Sequence, residues 1–578
     1  MQSSGTSSAA ACFPKVTRPM KTLILAFLLL NAAAAAQSVG GGFDTFFYLN
    51  GSRDDDQFAY SVDGAGDVNG DGSPDFIIGV PSFDGVAGQN CGAAQVYSGA
   101  DGTLLYQWEG TAAFNKLGFS VAAAGDVNND GFDDVIVSSP YWDSRGVPDC
   151  GLVVVYSGAD GTRLHSWSHN VPYDVFGYSV DGAGDTNGDG FDDLIIGTFG
   201  VDYGGNINSG AAYLYSGSNG ALLQEWGGEN AGDEFGLSVS GLGDIDQDGY
   251  NDIIAGAGWY APYGAAYVYS GFTGNLIYKI IGSSNSEFHG RAVADGGDIN
   301  SDGIADFLIG DYIAEGLGLP NQGAVFAHSG VDGSLLYRWD GFGADYLLGA
   351  AIDSAGDFNA DGYDDVLAGC PGASFNWQSN DGYALIYSGR DGSVLAEWLG
   401  SPGDSLGASL AGTGDVDRDG FDDVIIGTPW NDVGWNLDVG YAFVSGLSPF
   451  LRTNMATVSA TNGGVMEFDI GFPHEVAGYF YKILISASGT GPTYHGAAIP
   501  LTLDQMVIDT FWNLYPVPVH SGLQGILDAS GNADGSMTIP AGLPTSLIGN
   551  TYYFAAVAMY DIYAANFSSE AVTLEITL

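Results

Sequence analysis

Positive charge is scarce in this chain: 14 Lys and Arg stand against 69 Asp and Glu, a formal net charge of −55 over 578 residues. So anionic a protein has no electrostatic reason to seek nucleic acid or an anionic membrane surface. Cations are its natural partners. Long apolar runs are missing too, because TLILAFLLL at residues 22–30 is too short to cross a bilayer, and no membrane insertion is expected. The seven His form no H-E-x-x-H or comparable ligand spacing. Stretches rich in Ala, Glu, Lys and Leu are also absent. With 91 Gly and 13 % aromatics, the composition points instead to an all-β chain full of turns.

Cysteine is nearly absent, and Cys12 falls in a segment that reads as a leader. Lys15, Arg18 and Lys21 precede the apolar run, and NAAAAAQ supplies a small-residue cleavage site near Ala34 or Ala36. The expectation is an exported chain, secreted or at the cell surface, with residues 1–36 removed and Met20 a better signal start than Met1. Cys91, Cys150 and Cys370 then remain, enough for at most one disulfide. Cys91 and Cys150 occupy the same point of adjacent repeats, where a bridge strains disulfide reach. Cys370 reads as a buried free thiol.

What the chain has in abundance is one acidic motif. GDVNGDGSPDFIIG at residues 66–79 recurs six more times, with leading aspartates Asp67, Asp126, Asp185, Asp244, Asp298, Asp357 and Asp415, spaced 59, 59, 59, 54, 59 and 58 apart. Each repeat places short β-branched or aromatic segments on both sides of the acidic loop, then a variable loop, a segment such as GAAYLYSG, a small turn and a segment such as ALLQEW. Four strands per repeat, seven times over, predict a seven-bladed β-propeller of four-stranded blades across residues 37–448. The seventh repeat lacks its last strand, while FDTFFYLNGS at residues 43–52 precedes the first loop and supplies the missing one. Pairing the two would close the ring and remove its exposed edges.

Within the motif, numbering the leading aspartate as position 1, acids or Asn fall at positions 1, 3, 5 and 9, with Gly at 6. These are Asp67, Asn69, Asp71 and Asp75; Asp126, Asn128, Asp130 and Asp134; Asp185, Asn187, Asp189 and Asp193; Asp244, Asp246, Asp248 and Asp252; Asp298, Asn300, Asp302 and Asp306; Asp357, Asn359, Asp361 and Asp365; and Asp415, Asp417, Asp419 and Asp423. Carboxylates crowded this closely repel unless a cation sits among them. Hard oxygen ligands in this number suit Ca²⁺ better than Mg²⁺ or zinc. Position 12 lies inside a strand, so the loop is no EF-hand. The alternative is an Asx-rich turn without metal. Seven copies of the same five positions favour up to seven structural calcium ions.

Phe176-Gly177 and Phe235-Gly236, the IIGVP, IIGTP and LAGCP segments, and the D-x-[DN]-x-D-G-x-x-D loops together resemble the FG-GAP repeats of the integrin α-subunit propeller. The resemblance covers roughly residues 43–449. Departures fall at packing positions: His289-Gly290 stands in place of FG, and SSP or GTF in place of GAP. In that family only some blades keep the loop, so seven filled sites is a reading of this sequence alone. The resemblance also implies a ligand face opposite the acidic loops. There the variable loops carry Trp142, Trp259, Trp377, Trp430 and Trp435, with Tyr141, Tyr260 and Tyr312, whereas Trp108, Trp167, Trp226, Trp339 and Trp398 recur at one repeat position and read as blade packing.

No catalytic residue is assigned. GDSLG at residues 403–407 matches G-x-S-x-G without a strand–turn–helix context, so Ser405 reads as a loop serine. Residues 449–578 alternate as strands between Gly, Pro and Asn turns, as a C-terminal β-sandwich would, and bring their last strand to the final residue with no sorting tail or anchor. The expected function is a secreted, calcium-binding adhesion or ligand-binding module with an extracellular protein or glycan partner. The alternatives are a polysaccharide-active enzyme on the same scaffold and a structural envelope or matrix protein.

Overall fold

The computed structural model describes residues 41–449, except 145, 284–287, 316–318, 375–379 and 432–437, together with a set of strands between 451 and 577. The expected leader and cleavage site lie outside the described residues.

Blades 1 to 6 are four-stranded antiparallel sheets whose strands follow chain order from the axis outward. Blade 1 comprises Ser61–Gly66, Asp75–Val80, Ala93–Tyr97 and Leu104–Glu109. Blade 7 has Ser409–Gly414, Asp423–Thr428 and Tyr441–Pro449, and its outer strand is Gly41–Asn50 from the N-terminal end of the ring. That strand pairs antiparallel from Gly41 opposite Pro449 to Asn50 opposite Tyr441, so the expected closure is present. Neighbouring inner strands touch all the way round, including those of blades 7 and 1.

The second strand explains why the repeat is legible. Segments such as Asp193–Thr198, DLIIGT, are buried along their whole length between flanking strands and adjacent blades, so they read as unbroken apolar runs. The FG pair wedges between blades. Phe235 donates its N–H to the Ser209 carbonyl of blade 3, while its ring meets Tyr267 and Tyr269 of blade 4. Its partner Gly236 has φ +78°, and a Cβ there would lie 2.1 Å from the Ala211 carbonyl oxygen. Only glycine fits without strain.

Four of the five recurrent tryptophans bolt their blade to the next. Trp108, Trp167, Trp226 and Trp339 donate Nε1–H to the carbonyls of Gly161, Gly220, Gly274 and Gly392 in the following blade's outer turn, at 2.9–3.0 Å. At the axis, the inner strands carry Asp63, Asp181 and Asp353, whose carboxylates accept the N–H groups of Ala123, Gly241 and Gly412 from the next blade. Here carboxylates replace the ladder that inner strands of separate sheets cannot form.

Cys91, Cys150 and Cys370 are all buried free thiols. Cys91 and Cys150 do not bridge, because each faces its own loop: Gly85 donates its N–H to Cys91 Sγ, and the Cys150 thiol reaches the Trp142 carbonyl. Beyond residue 450, one sheet pairs Leu451–Thr453, Gly464–Gly471, Asn532–Ile539 and His520–Ser521; a second includes Phe480–Ser486, Thr551–Met559 and Val572–Thr577. The chain is all-β as expected.

Candidate metal centre

Each acidic loop joins the inner strand to the second strand, so all seven open on one face of the ring. Position 1 organises the loop. In blade 1, Asp67 Oδ1 accepts the N–H of Asp71 and Oδ2 that of Gly72, at 3.1 and 2.8 Å. The same pair recurs on Asp126, Asp185, Asp244, Asp298, Asp357 and Asp415. Position 5 curls the next turn, as Asp130 and Asp248 accept the N–H groups of Phe132 and Tyr250.

Position 9 plays a different part from positions 1, 3 and 5. Asp75, Asp134, Asp193, Asp252, Asp306, Asp365 and Asp423 begin the second strand and are fully buried. In blade 1, Asp75 Oδ2 accepts the N–H of Val68, and Oδ1 that of Gly99 in the outer turn. Burial pushes these carboxyls up, to about 6 for Asp193, about 7 for Asp75, Asp134, Asp252 and Asp306, and about 8 for Asp365 and Asp423. A cation beside them would reverse that shift.

The donor set fits a hard cation in two respects. Oxygens of Asp244, Asp246 and Asp252 all lie within 4.8 Å of one another, as do those of Asp415, Asp417 and Asp419. In blades 6 and 7, Asn359 Oδ1, Asp365 Oδ2 and Asp423 Oδ1 are buried without a hydrogen-bond partner. The Asp423 case has a topological cause: blade 7 takes its outer strand from the N-terminal end and so lacks the outer turn whose Gly N–H serves Asp75.

A residue outside the expected ligand set joins the loops to one another. At position 8, Asp133 Oδ2 accepts the N–H of Asp67 in the preceding blade at 2.8 Å, and Asp192, Asp364 and Asp422 do the same for Asp126, Asp298 and Asp357. The signal was present in sequence as the FDD or YDD of those four repeats, against SPD, YND and IAD elsewhere.

The profile of the FG-GAP repeat matches residues 58–98 and 117–156. The first two blades carry FG-GAP repeats. The chain is similar to integrin α-subunits: integrin alpha-5 of Xenopus laevis is 33% identical over 223 residues, 36% of this chain and 20% of that protein. Integrin alpha-V of Gallus gallus is 29% identical over 218 residues, and integrin alpha pat-2 of Caenorhabditis elegans 31% over 236, covering 35% and 36% of this chain and 20% and 18% of theirs. The chain therefore spans about a fifth of the length of these curated relatives.

On the opposite face of the propeller, Trp259 is 52% exposed and Trp430 37%, with Trp142 half-buried. Trp377 and Trp435 lie outside the described residues. Tyr60, Phe119 and Tyr178, at the start of three inner strands, form a chain of ring contacts of 5.1 Å that takes in Tyr141 and Trp430. Part of the aromatic endowment therefore packs at the axis, and Trp259 is the most open of the described tryptophans. Ser405 sits in the loop before the inner strand of blade 7, its N–H bonded to the Asn380 carbonyl, as a loop serine should.

Proposed function

We propose that the chain is an exported, calcium-stabilised FG-GAP propeller that acts as an adhesion or ligand-binding module for an extracellular protein or glycan. The observation that carries the calcium half is the set of buried, unpartnered oxygens in the loops of blades 6 and 7, on Asn359, Asp365 and Asp423. Burying an acceptor without a partner costs about 1–3 kcal/mol, a penalty a cation removes. Positions 1, 3, 5 and 9 of each loop would hold the ion, with position 9 also fixing the loop to its blade. When bound, the cation neutralises part of the loop charge and ties the inner to the second strand. The role is structural, because seven near-identical copies leave none chemically special.

The binding half rests on the likeness to integrin α-subunits and on exposed aromatics carried by loops on a rigid ring, which suit sugar rings or protein hot spots. Both groups of three converging acids lie in the loops of the other face. Retention of the chain on an array of glycans and matrix proteins, in calcium and after chelation, tests the reading. Calcium-dependent retention lost in Trp259→Ala and Trp430→Ala is expected. Retention that ignores both chelation and these substitutions would overturn it.

A further inference from the structure

The position 8 carboxylates do not run round the whole ring. They join blade 1 to 2 and 2 to 3 through Asp133 and Asp192, and blade 5 to 6 and 6 to 7 through Asp364 and Asp422. At the three other seams position 8 is Asn251, Ala305 or Pro74. Asn251 is neutral and turns its Nδ2 toward Gly184, while Ala305 and Pro74 have no acceptor to offer. At the seam of blades 7 and 1, Arg418 instead reaches across from one loop to Asp71 of the other, at 3.1 Å, placing a guanidinium on an expected ligand.

We propose that the seven loops take up calcium in two coupled runs, blades 1–3 and blades 5–7, with blade 4 loading on its own. The inference rests on the calcium reading above. Each staple is a charge-assisted bond between a backbone N–H of a position 1 ligand and a carboxylate adjacent in sequence to a position 9 residue of the next loop. It forms only when both loops hold their ligating shape. Without metal, like charges drive a loop away from that shape; filling one loop orders its half of the staple and so lowers the ordering entropy left for its neighbour. Repulsion between ions in separate exposed loops is screened at physiological salt and opposes this only weakly.

Hydrogen-exchange mass spectrometry of the full chain across a calcium titration tests the coupling loop by loop. The expected result is one protection midpoint shared by the loops at 67–75, 126–134 and 185–193, and another shared by those at 298–306, 357–365 and 415–423. Asp192→Ala should raise the midpoint of the blade 3 loop about tenfold, a typical coupling, and leave blades 5–7 unmoved. Asp192→Asn, which reproduces the Asn251 of the uncoupled seam, should raise it by a similar factor, and it carries the test if the alanine variant does not fold. Seven unrelated midpoints insensitive to Asp192→Ala, or a single transition of all seven loops, would overturn the two-run division. Absence of calcium-dependent protection in every loop would remove the calcium reading itself.

Discussion

Asp133 accepts the backbone N–H of Asp67 at 2.8 Å although the two are 66 residues apart and belong to different blades. Gly66, immediately before Asp67, has φ +67°, and a Cβ there would lie 2.1 Å from Asp133 Oδ2. The glycine therefore serves a conformation and a close approach at once. Asp133→Ala should cost about 1.5–3 kcal/mol, the value of a charge-assisted bond. Gly66→Ala should cost more, because it adds about 1 kcal/mol of left-handed strain and also displaces the carboxylate. Urea denaturation in calcium ranks the two; the reverse order would disconnect the glycine from the staple.

His289 fills the position that Phe176 and Phe235 occupy in other blades, 3% exposed, with neither ring nitrogen partnered. Burial, with smaller contributions from His328 and Arg338, pushes its pKa down to about 3. Depressed below its ordinary value near 6.5, the neutral ring contributes stability that is intact above that pH and is lost as pH falls toward 3. His289→Phe should stabilise the protein by about 1–2 kcal/mol at pH 7 and by more at pH 4. Thermal melts at the two pH values read this, and an equal or smaller gain at pH 4 would contradict it.

The axial carboxylates predict the opposite slope. Withdrawn from water and facing one another's charge, Asp353 is pushed up to about 8 and Asp181 to about 7, with Asp63 also raised. Groups whose pKa is raised on folding give stability that is present below about 4 and lost as pH rises toward 8. The buried position 9 acids slope the same way, so the comparison is made in saturating calcium. Asp353→Asn keeps an acceptor for the Gly412 N–H and removes one charge. It should raise Tm by a few degrees at pH 8 and by a smaller amount at pH 5, on melts across that range.

Much of the fold was legible because its evidence is local. The loop chemistry, the apolar second strand and the turn glycines repeat within each repeat unit, so seven copies reinforce a single reading. Closure by residues 41–50 was visible as a strand missing at one end and spare at the other. The aromatic set was harder to sort. Trp167 and Trp339 betrayed packing by their fixed repeat position, whereas Tyr60, Phe119 and Tyr178 gave no sign in sequence that their rings would meet near the axis.

The sequence by itself determined the repeat, the strand order and the acidic loops, since each depends on residues within one blade's length of chain. Only the tertiary structure decided the seams: which acid of one loop caps the next, which aspartates share the axis, and that Asp423 loses its amide partner where the ring closes. The physical reason is that a seam joins residues some 60 positions apart through one hydrogen bond, which leaves no periodicity of its own. Asp133 and Asp134 look alike in the chain, and only the curvature of the ring sends one across to the neighbouring blade and buries the other at the start of its own strand.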